Sequence, residues 1–378
     1  MIPRRISAGL LATGCLASTV AAAAAARPAS TPSLAPVLAT GAPGALVLVR
    51  NGTRTTTGQA GVAIAGTTRR IGVDQPFRVG SITKTFVAVV VLQLAEEHRL
   101  GLDDTVEEWL PGLLPYGAKV TLRHLLQHTS GIPDHLSGTS SDALLAPLLR
   151  DPTHAFEPGE LVESIAASPP LFAAGTGWAY SNANYVLLGL IAERVTGKPL
   201  AKVLDTQIIR PLGLRHTSFP NGAAMPPGAV HGYLVAGNPV VPTRGGRPFD
   251  ATFVNPSYTW AAGALVSTAS DLDRFLRALV RGKLVSQGSL TTMTRAHAFT
   301  PRYSYGLGLL RVKTPCGPLV GHDGELFGYS AIALTSLDGR RSAVVLANTS
   351  HVSATDPEAT LAAVAEVATT ALCDRSGR

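Results

Sequence analysis

The chain has 378 residues, 46% of them hydrophobic, and a formal net charge of +7. That is enough apolar sequence to bury a large core in one domain or two lobes, and it excludes disorder for the bulk of the chain. The arginines stand singly in Ala- and Gly-rich sequence. The positive balance therefore reads as surface chemistry, with at most a weak attraction to anionic envelope polymers, and not as a nucleic-acid footprint.

Arg4 and Arg5 precede an apolar stretch over 6–20 and an alanine run ending near Ala26. This pattern predicts a secretory signal peptide over 1–26, cleaved around Ala26, and hence a secreted or cell-envelope protein. The apolar run is short for a spanning helix, so a stable membrane span after cleavage is not expected. Leu11-Ala-Thr-Gly-Cys15 faintly resembles a lipoprotein box, but Ala12 sits where leucine is usual. Cys316 and Cys373 remain after cleavage, and one disulfide between them is permitted without being required.

A Pro- and Ser-containing linker is expected over 27–39. Residues 45–50 are β-rich and run directly into Asn51-Gly52, a hairpin signal, with 53–65 as the partner strand. Residues 81–99 form the clearest helix, apolar nearly all round and ended by Gly101. Further helices are expected over 182–195 and 271–281, closed by Gly197 and Gly282. The Pro-rich stretch 219–258 reads as an elaborate loop region that walls a cleft. Strands follow at 305–312, 319–322, 329–337 and 341–348, the last two joined by Asp338-Gly339. A final helix starts at Asp356 as N-cap with Pro357 at its first position, and runs to about residue 372. Together the terminal strands make one antiparallel sheet with a covering helix.

Ser81-Ile-Thr-Lys84 places a hydroxyl at the start of a buried helix and an amine one turn later on the same face. A serine hydroxyl needs a base at neutral pH, and a desolvated lysine loses its proton more easily and becomes one. The bland alternative is an N-cap serine with a surface lysine, which fits poorly with so apolar a helix. Tyr180-Ser-Asn182 adds a phenol that can relay a proton and an amide that can grip a substrate amide. His322-Asp323-Gly324 falls at a strand end, where glycine lets a ligand approach the backbone and the next N–H, of Glu325, can aim at an oxyanion.

Taken in this order, the three elements resemble the serine β-lactamase and penicillin-recognising peptidase superfamily, especially its D-alanyl-D-alanine carboxypeptidase and class C branch. Leu125-Leu-Gln-His-Thr-Ser-Gly131 and Gly263-Ala-Leu-Val-Ser-Thr268 look like recurrent segments of the same superfamily. The resemblance implies an α+β fold of two lobes: an antiparallel sheet flanked by N- and C-terminal helices, with a mostly helical lobe inserted. On this sequence that places the sheet lobe at about 40–76 plus 300–372, the helical lobe at about 77–299 and a tail at 373–378. It also implies Ser81 as nucleophile, Lys84 as proton acceptor, Tyr180 as the base that later protonates the leaving group, and Asn182 as holder of the substrate amide. His322 stands where many relatives have lysine, and the oxyanion would sit between the N–H groups of Ser81 and Glu325. No cofactor or metal is implied, and a monomer acting on a peptide, ester, amide or β-lactam is the expectation. Carboxypeptidase action on cell-wall peptides is the headline reading, with an esterase or D-amino-acid amidase next.

Two rivals come from other classes. His124 and His128 have the i, i+4 spacing of a helical zinc site, but the glutamate that would act as base is missing. A noncatalytic penicillin-binding or sensor protein would show damaged motifs, and these are whole. One departure bears on substrate. Relatives that cut D-Ala-D-Ala or penicillins usually carry Thr or Ser after the strand Lys or His, whereas this chain has Asp323, with Glu325 two residues on. Two unit charges about 5 Å apart repel by roughly 0.8 kcal/mol in water and about 3 at an effective dielectric of 20. A free substrate carboxylate is therefore disfavoured if Asp323 faces the cleft, unless an arginine such as Arg302 or Arg311 neutralises it.

Overall fold

The computed structural model describes residues 31–137, 146–148, 150–234, 248–350 and 359–374. The signal segment, Asp356 and Pro357 lie outside the described residues. Thr31–Asp374 form one compact unit.

The N-terminal hairpin forms as its Asn-Gly turn predicts, with β1 at Gly44–Asn51 and β2 at Arg54–Gly61. The helices that matter for the site are α1 (Thr83–Glu96), α2 (Leu122–Gln127), α3 (Asn182–Thr196) and α4 (Ala269–Val280). They are followed by β3 (His297–Ala298), β4 (Tyr303–Tyr305), β5 (Leu310–Val312), β6 (Leu319–Leu326), β7 (Tyr329–Ser336), β8 (Arg341–Ala347) and α5 (Ala359–Cys373). The eight strands form one antiparallel sheet in the order β2-β1-β8-β7-β6-β5-β4-β3. The first hairpin thus joins the C-terminal strands across the whole sequence.

Over β1, β6, β7 and β8 both sheet faces are largely buried, and the period-2 alternation of the strands sorts their side chains between two cores. Leu46, Leu48, Val344 and Leu346 pack on one side with α1, α3 and α4. Val47, Val345, Ile332 and Leu334 pack on the other with Val364 and Leu372 of α5. Each such side chain, fully buried, contributes roughly 1.5–3 kcal/mol relative to exposure.

Several expectations need correction, the first being that the strand expected over 319–322 runs on to Leu326, so His322-Asp323-Gly324 lie inside it and not at its end. The segment 27–39 is not wholly a linker: Ala35–Leu38 make a helical turn whose Val37 is buried in the α5 core. Residues 305–312 are not one strand, because Gly306 and Gly308 turn the chain back so that Tyr305 pairs with Leu310. At Gly306 a Cβ would lie 2.0 Å from the Met293 carbonyl oxygen, so the turn tolerates no side chain. The first long helix ends at Glu96 and not at Gly101. His98 takes the left-handed conformation (φ 55°), and Arg99 N–H closes on the Leu94 carbonyl at 3.0 Å, a Schellman ending. Among the described residues of 219–258, Tyr233–Leu234 pairs with Phe249–Asp250, and a 3-10 turn follows at Pro256–Tyr258.

Candidate active site

Ser81 stands in a 3-10 turn, Gly80–Ile82, that leads straight into α1. The turn is pressed against β6. Gly80 has φ +54°, and a Cβ on it would lie 2.6 Å from the Glu325 backbone nitrogen. From the other side, a Cβ on Gly324 would lie 2.0 Å from the Val79 carbonyl oxygen and 3.0 Å from the Ser81 nitrogen. Two bare glycines therefore let turn and strand touch, and they bring the N–H groups of Ser81 and Glu325 into one neighbourhood.

Lys84, one turn on, is fully buried. Its Nζ lies 2.9 Å from Ser81 Oγ, 2.7 Å from Asn182 Oδ1 and 2.8 Å from the Ala262 carbonyl oxygen. Burial drives the amine down from its ordinary 10.5 to about 7, against the opposing pull of the Asp134 and Asp323 carboxylates. Tyr180 hydrogen-bonds the Ser81 side chain, and its ring centroid is 4.8 Å from Lys84 Nζ. Loss of hydration lifts the Tyr180 phenol well above its ordinary 10, so it is protonated at neutral pH.

Asn182 is the first residue of α3, with Ser181 in the N-cap position. Its Oδ1 faces Lys84, and its Nδ2 donates to Asp134 Oδ2 at 2.9 Å. Its backbone N–H donates to Asp134 Oδ1 at 3.1 Å. Asp134 went unnoticed in the sequence, because nothing in one dimension connects it to a residue 48 positions later.

His322 is buried, not open to the cleft. Its Nε2 lies 2.8 Å from the Tyr305 hydroxyl and its Nδ1 3.2 Å from the Asp323 carboxylate. Tyr305 bonds in turn with Tyr185, whose hydroxyl donates to the Leu126 carbonyl at 2.8 Å. Tyr305 is a second site residue the sequence did not flag; it read only as a strand residue. The Asp323 side chain is 36% exposed, and its charge acts on both Lys84 and Tyr180. Burial alone would raise its pKa, but the hydrogen bond and charge of His322, with Lys84 beyond, hold the carboxyl below the ordinary aspartate value. The group beside Asp323 is thus His322. Arg302 instead reaches Thr369 on α5.

The zinc-like histidine pair serves helix ends. Nδ1 of His124 accepts from the Thr121 N–H in a capping box, and His128 ends α2 in the left-handed conformation. His128 is buried and kept neutral, chiefly by burial and then by Lys84, with its Nδ1 accepting from the Ser181 N–H at 3.2 Å. It forms the floor beneath Tyr180, at 4.3 Å between ring centroids.

A buried Ser-x-x-Lys turn faced by Tyr-x-Asn and His-x-Gly, set between an antiparallel sheet and helices, is the arrangement of the serine β-lactamase and penicillin-binding superfamily. The protein belongs to the Beta-lactamase family, which matches residues 19–367. It is similar to a D-stereospecific amidohydrolase from Streptomyces sp., with 37% identity and a TM-score of 0.76 over 84% of this chain and 95% of that one. Penicillin-binding protein 4* of Bacillus subtilis (strain 168) is 29% identical over 297 residues, which are 74% of this chain and 62% of that protein. Esterase EstB of Burkholderia gladioli is 41% identical over 157 residues, 39% of each chain. The chain spans less than two thirds of the length of these curated relatives. No helix among the described residues is long and apolar enough to cross a membrane.

Proposed function

We propose that the protein hydrolyses amides or esters through an acyl-enzyme on Ser81, and that its preferred substrates carry no free carboxylate next to the scissile bond. The observation that carries the reaction class is the buried Lys84 amine, 2.9 Å from Ser81 Oγ and with a pKa of about 7. Neutral Lys84 takes the Ser81 proton as Oγ attacks the carbonyl carbon. The oxyanion that develops is received by the N–H groups of Ser81 and Glu325, and one such donor is typically worth on the order of 10²–10³ in rate. Tyr180 starts protonated, so it acts first as an acid: it gives its proton to the leaving nitrogen or oxygen and regains one from the Lys84 ammonium. The Ser81 proton is thereby delivered to the leaving group with no net change at the site. Water then attacks the acyl-enzyme by the reverse route. One Nδ2 hydrogen of Asn182 goes to Asp134, leaving the other for the substrate amide.

The substrate preference rests on β6. A carboxylate-reading site needs a cation or a hydroxyl there, but both nitrogens of His322 are engaged within the protein and Asp323 presents a negative charge. Similarity to a D-stereospecific amidohydrolase and an esterase supports the same reading. The Cys316–Cys373 disulfide supports export to an oxidising compartment.

The test is a kinetic panel of a D-amino-acid amide, a short nitrophenyl ester, nitrocefin, and a D-Ala-D-Ala peptide with its C-terminal amide. We expect the amide and ester to be cleaved and the blocked peptide to be preferred to the free acid. Asp323→Thr should narrow that preference. A free-acid peptide cleaved best by wild type would restore the carboxypeptidase reading. Ser81→Ala should abolish the one-adduct mass gain from a fluorophosphonate; an adduct formed at the wild-type rate would refute Ser81 as nucleophile.

A further inference from the structure

Asp134 lies outside the motifs of the active site, yet it holds Asn182 at two points, through the backbone N–H and through Nδ2. An ionised carboxylate only accepts hydrogen bonds. The Asn182 amide is therefore left one orientation, with nitrogen toward Asp134 and oxygen toward Lys84. At Lys84 this has a chemical consequence. A neutral amine has two N–H bonds and one lone pair. Asn182 Oδ1 and the Ala262 carbonyl are both pure acceptors and take the two hydrogens. The lone pair is left for the third neighbour, Ser81 Oγ, the only one of the three that can donate. A reversed Asn182 amide would offer its own N–H to that lone pair and deprive Ser81 of its base.

We propose that Asp134 is a positioning residue for acylation: by fixing the Asn182 amide it turns the free electron pair of Lys84 toward Ser81. The inference rests on the reading of Lys84 as proton acceptor. Asp134 also has local structural work, since its Oδ1 accepts from the Leu136 N–H at 3.2 Å and lies 3.7 Å from Nδ1 of the buried His135. A loss of activity alone would not separate the two roles, but a pH profile does. The carboxylates that act on Lys84 are Asp134, from the loop after α2, and Asp323, from β6. His128 and His135 are the titratable imidazoles coupled to it, and the Tyr180 and Tyr185 rings lie beside it. Removing the Asp134 charge leaves Asp323 alone to support the ammonium, so the Lys84 pKa falls further.

The experiment compares wild type, Asp134→Asn, Asn182→Ala and the double variant on a nitrophenyl ester from pH 5 to 9, with rates expressed per active site titrated by a fluorophosphonate. Asp134→Asn is expected to lower the kcat/KM plateau at least tenfold, mostly in kcat, while its acid limb moves to lower pH. In the Asn182→Ala background it should change kcat/KM by less than twofold. A plateau within twofold of wild type with an unmoved limb overturns the proposal, and so does a fully multiplicative loss in the double variant. If Asp134→Asn does not fold, Asp134→Glu is read instead. There the retained charge keeps the limb in place and the longer side chain lowers the plateau, and a wild-type plateau overturns the proposal. A wild type that gains no adduct on Ser81 defeats the reading of the site and this inference with it. A labelled, active wild type matched by its Asp134→Asn variant defeats the inference alone.

Discussion

A lysine amine taken out of water gives up its proton more readily, and at Lys84 this brings the titration close to physiological pH. The sign of the pH dependence follows from its role. In the proposed mechanism only the neutral amine accepts the Ser81 proton, so acylation should be at its full rate above about pH 7 and fall roughly tenfold per pH unit below it. Tyr180 adds no alkaline limb below pH 10, because its phenol is raised above its ordinary value. The rate of fluorophosphonate adduct formation between pH 5 and 10 checks this. An acid limb near pH 4 would assign the base to a carboxylate instead. His322 shows the converse case: its two ring nitrogens are engaged by Tyr305 and Asp323, so the imidazole is withdrawn into the protein.

At the scale of elements, the site exists because a strand and a helical turn can approach closer than side chains ordinarily permit. Gly80 and Gly324 are the two positions where that approach is made. Gly324→Ala should therefore push β6 away from the Ser81 turn and open the pair of N–H donors. We expect acylation to fall by about 10²-fold or more, with a stability loss of about 1–3 kcal/mol from overpacking. Stopped-flow acylation and thermal melting measure the two effects separately. An alanine variant with normal acylation would show that the Glu325 N–H takes no part. Gly308 permits a similar approach, since at φ +71° a Cβ on it would lie 2.4 Å from Cβ of Ala88. The β4–β5 turn thus packs directly on the helix that carries Lys84.

For the molecule as a whole, the sheet is closed from both ends of the sequence, by β1 pairing with β8 and by α5 lying over the outer face. The Cys316–Cys373 disulfide fastens the loop before β6 to the end of α5, across 57 residues. Arg341 reinforces the same corner, donating to the carbonyls of Leu372 and Cys316 at 3.0 and 3.1 Å. Chain-entropy arithmetic puts such a cross-link at about 4 kcal/mol, which for a unit of this size is about 5 °C in melting temperature. The paired change Cys316→Ala with Cys373→Ala should lower Tm by about that much and leave kcat/KM within twofold, because neither sulfur belongs to the Ser81 network. An unchanged Tm with lost activity would contradict this.

The local parts of this protein are legible in one dimension because they are made of local interactions. Asn51-Gly52 dictates a hairpin, the all-apolar run after Ser81 dictates a buried helix, and the three-residue spacing of Ser81 and Lys84 puts their side chains on one face of it. Gly197 and Gly282 end helices where their freedom at positive φ predicts. Where local signals compete, the prediction fails at the boundary: His98 takes the left-handed turn expected near Gly101, and two glycines break what reads as a single strand at 305–312. The sequence could pair Cys316 with Cys373 only as a possibility, because their Cα atoms come within 5.2 Å through the docking of α5 on the sheet. The same holds for the chemistry. Ser81, Lys84, Tyr180 and Asn182 are recognisable by type and spacing, but the orientation of the Asn182 amide is decided by Asp134, from a different loop. The withdrawal of His322 from the cleft is decided by Tyr305 and Asp323 around it. Hydrogen-bond partners far apart along the chain are chosen by packing, and packing is a property of the folded molecule alone.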